Sequence, residues 1–231
     1  MPDKENIIYE WEDKGDINMK MIDNYRDLPI GMYLEICEID KRKDIDDLTK
    51  QVCIIALLTG KSEEDIYNSS IEEYREMAKS SAFLSHPYDG EVLTAKIYRI
   101  GEWVLQPVED FRKITTAQYI DFQTFAQFGE EKIVEIISVM LVPKGKKYNQ
   151  DYDVVELQND LRQYLSVADA ISLFAFFFVQ YNKLIKDSLT SCREAAMKLR
   201  DPEKKRRTLR EIDKQERTLL KGGDGLRMLM R

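Results

Sequence analysis

Ser166-Val167-Ala168-Asp169-Ala170-Ile171-Ser172-Leu173-Phe174-Ala175-Phe176-Phe177-Phe178-Val179 is the stretch that decides the fold of this chain. Ser166 is a natural N-cap, and Asp169 three residues on strengthens the start of a helix. The apolar run that follows is about 13 residues long and contains Asp169, whereas a membrane-spanning helix needs about 20 apolar residues. The run therefore reads as a core helix that a folded body must surround. Beyond it, Ile185, Leu189, Cys192, Ala196 and Leu199 continue one face at spacings of three and four, so the helix is predicted to run on.

Working outward toward the N-terminus, Val154 to Tyr164 reads as a helix, and Lys144 to Asp151 as a polar loop. Glu130 to Val142 reads as a helix with one strongly apolar side, ending before Pro143. Thr115 to Gln118 is a capping-box pattern opening a helix that carries Tyr119, Ile120, Phe122 and Phe125. Lys96–Ile100 and Trp103–Gln106, separated by Gly101-Glu102, predict a β-hairpin. His86-Pro87-Tyr88-Asp89-Gly90 marks a break. Ser70 to Glu73 is a second capping box, for a helix to about Leu84, and Ser62 starts a short helical turn. Asp44 to Leu58 has helical spacing and is stopped by Gly60. At the start, Ile7–Trp11 and Ile17–Met21 read as two extended runs around a turn, a hairpin or an extended arm.

At the other end, Asp201-Pro202-Glu203 is a new helix start, with Asp as N-cap and Pro in the first turn. Gly222-Gly223 ends that helix, and Leu226, Met228, Leu229 and Met230 form a small apolar terminal patch. The predicted fold is mainly α: a helical body with one or two small β-hairpins and a long C-terminal helical extension. The expected division is an N-terminal arm or hairpin at 1–26, a body at 27–190 with its hairpin near 96–106, and a basic extension at 191–231.

Composition agrees. Hydrophobic residues make up 43% of the 231, too many for a disordered chain, and only 10 Gly and 6 Pro argue against an all-β one. Net charge is −7, unevenly spread. Residues 191–231 hold 13 Lys or Arg against 7 Asp or Glu, a net of +6, so the preceding 190 residues carry −13. Cys37, Cys53 and Cys192 are odd in number and far apart, which argues for reduced thiols in a cytoplasmic setting over disulfides or a zinc site. The polar N-terminus has no signal-peptide core.

Motifs for chemistry are thin, and neither a metal nor a cofactor is expected. The single histidine, His86, lies in a loop with no ligand-spaced neighbours. Gly60-Lys61-Ser62 resembles the end of a phosphate loop, but that motif needs Gly where Ile55 stands. Carboxylate runs at 44–47 and 63–65 lack the spacing and glycine of a calcium loop, and suit helix starts. Lys204, Arg206, Arg207 and Arg210 are the candidate partner-binding cations, together with the terminal patch Leu226, Met228, Leu229 and Met230. These cations could contact phosphates, but Glu203, Glu211, Asp213 and Glu216 interleave with them, so a self-paired solvated helix is favoured over a nucleic-acid grip. With few apolar positions, residues 203–221 must lie on the chain's own body or on another chain. A tail of +6 reaching the next subunit's body would make a heterologous contact able to close into a ring, and docking on its own body satisfies the same electrostatics.

Several stretches resemble virion-assembly proteins of tailed bacteriophages, particularly the crAss-like type infecting Bacteroides-type hosts. They are Asp27–Tyr33 leading into Gln51–Gly60, then Ile114–Asp121, Val142–Gly145, and Leu165–Ala170 with Phe176-Phe177-Phe178, spanning roughly residues 25–190. The resemblance implies a non-enzymatic structural protein of the portal–tail region, a neck or tail ring component, found in the virion and, during assembly, in the host cytoplasm. Its partners would be other virion proteins (portal, tail or neighbouring subunits) and copies of itself. A tail-assembly chaperone absent from the particle is the first alternative. A nucleic-acid-binding accessory protein using the basic tail is the second. The basic C-terminal helix has no counterpart in the resemblance.

Overall fold

The computed structural model describes residues 8–10, 21–88 and 95–221. It is mainly helical. The elements run β1 (Ile8–Glu10), α1 (Ile30–Lys41), α2 (Asp47–Thr59), α3 (Glu63–Tyr67), α4 (Ile71–Ser80), β2 (Ile97–Ile100), β3 (Trp103–Pro107), α5 (Thr116–Ala126), α6 (Ile133–Met140), β4 (Leu141–Pro143), α7 (Val154–Tyr164), α8 (Val167–Met197) and α9 (Pro202–Lys221).

Helix α8 is the axis. At about 1.5 Å per residue its 31 residues span roughly 46 Å. Ser166 caps it by accepting from the Asp169 N–H at 3.0 Å. From Val167 to Phe178 every residue but Phe176 is buried, so this half is surrounded on all sides. Burying each such Phe or Leu side chain stabilises the fold by about 2 kcal/mol. The segment before α1 is stitched to the α8 entrance: Val167 N donates to Leu28 O, Ala168 N to Tyr25 O, and Ile30 N to Leu165 O. No helix among the described residues is long and apolar enough to cross a membrane.

The capping signals fold as read. Ser62–Asp65, Ser70–Glu73 and Thr115–Gln118 each form a reciprocal box at the start of α3, α4 and α5. Gly60 ends α2 with a left-handed φ of 67°, which favours glycine, and Ser62 then opens α3. The phosphate-loop likeness of Gly60-Lys61-Ser62 is thus a helix stop followed by a cap. Helices α2, α3 and α4 enclose a small satellite core of Val52, Ile55, Ile66 and Met77.

One expectation is corrected. The stretch 130–142 is not one helix with one apolar side. It passes from a 3-10 turn into α6, whose eight residues are all buried, and then into strand β4. Glu135 and Ser138, three residues apart, mark the helix, but the apolar run Val139–Val142 that follows carries no period to separate helix from strand. Within the run Ile7–Trp11, Ile8–Glu10 form β1, which pairs in parallel with β2. Its proposed partner, Ile17–Met21, lies outside the described residues except for Met21. Helix α1 had no sequence signal, because Pro29 leaves its N-terminus without a side-chain cap. Helix α8 runs unbroken past Leu189 to Met197, the continuation that the apolar stripe predicts.

The sheet order is β1-β2-β3-β4, with β2, β3 and β4 antiparallel. The Gly101-Glu102 turn joins β2 to β3 as read, Gly101 having a φ of 54°. Strand β4 is an edge. Lys144 N donates to Val104 O and Val108 N to Met140 O, so the alternation puts Val142 toward β3 and turns Leu141 and Pro143 outward. The outward groups are largely used up. Pro143 has no N–H, its carbonyl accepts from Lys146 N, and Leu141 N donates to Ile137 O.

Candidate functional site

The sequence-derived cations lie on α9. Asp201 caps this helix, its carboxylate accepting from Glu203 N and Lys204 N. α9 folds back antiparallel along the far half of α8: Arg193 pairs with Asp213 and Glu216, while Lys205 Nζ donates to Met197 O nearer the turn. The seam is thin. Ile212 is buried, Leu209 half-buried, and on α8 Ala196 is the buried residue past Leu189. Cys192, which shares the predicted apolar stripe, is exposed.

Helical spacing sorts the four cations. Lys204 lies on the stripe of Thr208 and Ile212, flanking the seam, Arg206 lies on the stripe of Asp213 at the other margin, and Arg207 and Arg210 point from the side turned away from Ile212. All four are exposed. Arg207 meets Glu211 at 3.6 Å. The side chains of Arg206 and Arg210, one turn apart, have no ion-pair or hydrogen-bond partner among the described residues. The other predicted residues, Leu226, Met228, Leu229 and Met230, lie outside the described residues.

A second site was not read from the sequence. The β2–β3 turn, the loop after β4 and one face of α7 enclose a groove of about 890 Å³ around Trp103. Trp103 Nε1 donates to Asp160 Oδ2 at 2.6 Å, which fixes the indole plane. Lys146 Nζ sits 5.5 Å from the indole centroid, a cation–π distance. Glu102 lines the groove at the turn, and Glu156 stands one helical turn before Asp160. Tyr152 packs against the indole at 5.9 Å, and burial pushes its hydroxyl up to about 12. The only sequence trace is the i, i+4 carboxylate pair Glu156/Asp160, and its partner Trp103 is 57 residues away from Asp160.

A third concavity of about 460 Å³ lies between α1, α7 and α8, floored by Ile30, Ile133 and Ile171. Beside it Glu135 Oε1 accepts from Lys132 Nζ at 2.9 Å and Arg162 Nη2 at 3.3 Å. Its Oε2 is buried and has no hydrogen-bond partner among the described residues. His86 is exposed, and its backbone carbonyl accepts from the Tyr25 hydroxyl at 2.8 Å. Among the described residues, no three His, Cys, Asp or Glu side chains are grouped to hold a metal ion.

No protein-family model, curated protein or solved structure matches this chain.

Proposed function

We propose that this chain is a structural protein of the tailed-phage portal–tail region that acts through protein–protein contacts, with other virion proteins and its own copies as partners. The observation that supports this most is the α8–α9 hairpin. α9 uses its only buried side chain among those described, Ile212, against α8, and turns Arg206 and Arg210 outward without partners. A helix arranged this way is anchored on one side and available on the other. The acidic body offers complementary charge. The reading places the protein in the virion, with the host cytoplasm as its location during assembly.

Proteomics of purified particles made by the genome that encodes this chain tests the proposal. Recovery at a fixed ratio to other virion proteins is the expected result. Absence from the particles overturns the virion role and points to the assembly chaperone. The same exposed cations favour one second reading, a nucleic-acid accessory. That reading requires a gel shift that weakens steeply with salt and is lost when Arg206 and Arg210 are changed to Glu.

A further inference from the structure

We propose that the Trp103 groove is the receptor for the outward face of α9 from a second copy of this chain, with Arg206 and Arg210 as the inserted cations. The inference rests on the reading of this protein as one that works by contacts with other proteins, and it names the partner and both surfaces.

The groove is built for a cation. It offers an indole face together with the carboxylates of Glu102, Glu156 and Asp160. Asp160 holds the ring in place, while the side chains of Glu102 and Glu156 have no partner among the described residues. A cation already sits there in cis, because Lys146 covers the indole. Lys146 follows Gly145, which has a φ of 78° and open space about its Cα. The Lys146 amide is tied to Pro143 O, but its ammonium has no ion pair or hydrogen bond among the described residues, so it can leave the ring without breaking the turn. An ammonium is strongly hydrated, whereas a guanidinium is planar, less hydrated and stacks on aromatic rings. An incoming arginine therefore displaces Lys146 favourably. Lys144, the other groove cation, lines the rim and opposes binding, so the balance rests on the three carboxylates and the indole.

The occupant is argued from spacing and charge. Glu156 and Asp160 are four residues apart on α7, and Arg206 and Arg210 are four residues apart on α9. Both pairs therefore advance about 6 Å along a helix, and two helices laid side by side can match both charges at once. α9 keeps its own seam with α8 in this contact, because Arg210 leaves from the opposite side and Arg206 from the margin, and neither is used in the seam. The two surfaces differ, so the contact is heterologous, and repetition gives a closed ring or an open filament.

The test is a charge exchange in the full-length chain, read as solution mass by light scattering across a concentration series. Arg206→Glu with Arg210→Glu should raise the concentration at half-assembly at least tenfold, and so should Glu102→Lys with Glu156→Lys. An equimolar mixture of the two variants should recover pairwise association that neither shows alone. Lys146→Ala, which empties the indole face, should lower the half-assembly concentration. A wild-type chain that stays monomeric throughout overturns the inference. So does an oligomer indifferent to both charge pairs, although a protein-contact role through another surface would then survive. Circular dichroism of each variant separates lost folding from lost contact, and Arg206→Gln with Arg210→Gln supplies a milder variant should the reversals unfold α9.

Discussion

Gly31 and Arg162 bring α1 and α7 together backbone to backbone: a β-carbon on Gly31 would stand 2.7 Å from the Arg162 carbonyl oxygen and 3.1 Å from its Cβ. Real β-carbons do not approach a carbonyl that closely, so the helices must part to admit one. Gly31→Ala should destabilise the chain by about 1–3 kcal/mol. The gain of about 0.5–1 kcal/mol from alanine's helix preference does not offset that. A fall in the urea midpoint with unchanged slope is the expected reading. An unchanged midpoint would show that α1 moves aside freely.

Gln118 ties two helices at once. Its Oε1 accepts from Thr115 N at 3.1 Å, closing the α5 cap, and its Nε2 donates to Val139 O in α6 at 2.9 Å. The side chain is buried. Gln118→Ala should cost about 2–3 kcal/mol, from one cap and one buried carbonyl left without its donor. Gln118→Glu keeps the cap acceptor but faces the Val139 carbonyl with a carboxylate, so it should be no more stable than the alanine variant. Equal stability of Gln118→Glu and wild type in chemical denaturation would mean that the Val139 bond contributes nothing.

The α8–α9 hairpin should open without the body. Ile212→Ala truncates the one buried side chain described on α9 and should weaken the seam by about 2 kcal/mol. Native-state amide exchange would then accelerate along α9 and the far half of α8, while α6 and the first turns of α8 keep their protection. Uniform acceleration through α6 would show that hairpin and body unfold as one.

Two aspartates should act on stability with opposite sign. Burial pushes the Asp169 carboxyl up, against the hydrogen bond from Ser166 and the charge of Arg26. Its proton is held more tightly in the folded chain than in the unfolded one. Its contribution is therefore full below the unfolded value near 3.8 and is lost as pH rises through the raised folded value. Asp169→Asn should gain stability relative to wild type as pH rises from 3.8 through the raised folded value. Arg112 holds Asp110 down at about 2, so that contribution is present above 3.8 and lost as pH falls toward 2. Asp110→Asn should flatten the acid limb only. Urea midpoints between pH 2 and pH 8 decide both signs.

Much of the architecture was legible because it is written locally. Ser70 with Glu73, Thr115 with Gln118, and Ser166 with Asp169 are contacts three residues apart, and each opens the helix it announces. The hairpin around Gly101 needed only two β-favouring runs and a turn residue. Helix α1 was silent because Pro29 offers no side-chain cap and Glu35, Glu38 and Asp40 dilute its apolar face. Strand β4 was hidden in the apolar run Val139–Val142 that continues α6, where Pro143 looks like a stop and is in fact the last strand residue. At the sites, the basic face of α9 was visible as composition. The Trp103 groove was not, because Glu102, Lys146 and Asp160 meet only after the sheet has packed against α7.

The closed edge of β4 shapes how such a chain can be crowded. Where many copies stand shoulder to shoulder, an open strand would let neighbours zip together by main-chain bonds that are blind to sequence. With Pro143 and the Lys146 amide occupying that rim, copies meeting there must recognise one another by side chains. Any contact between copies made at that edge would then rest on residue identity rather than on main-chain bonds.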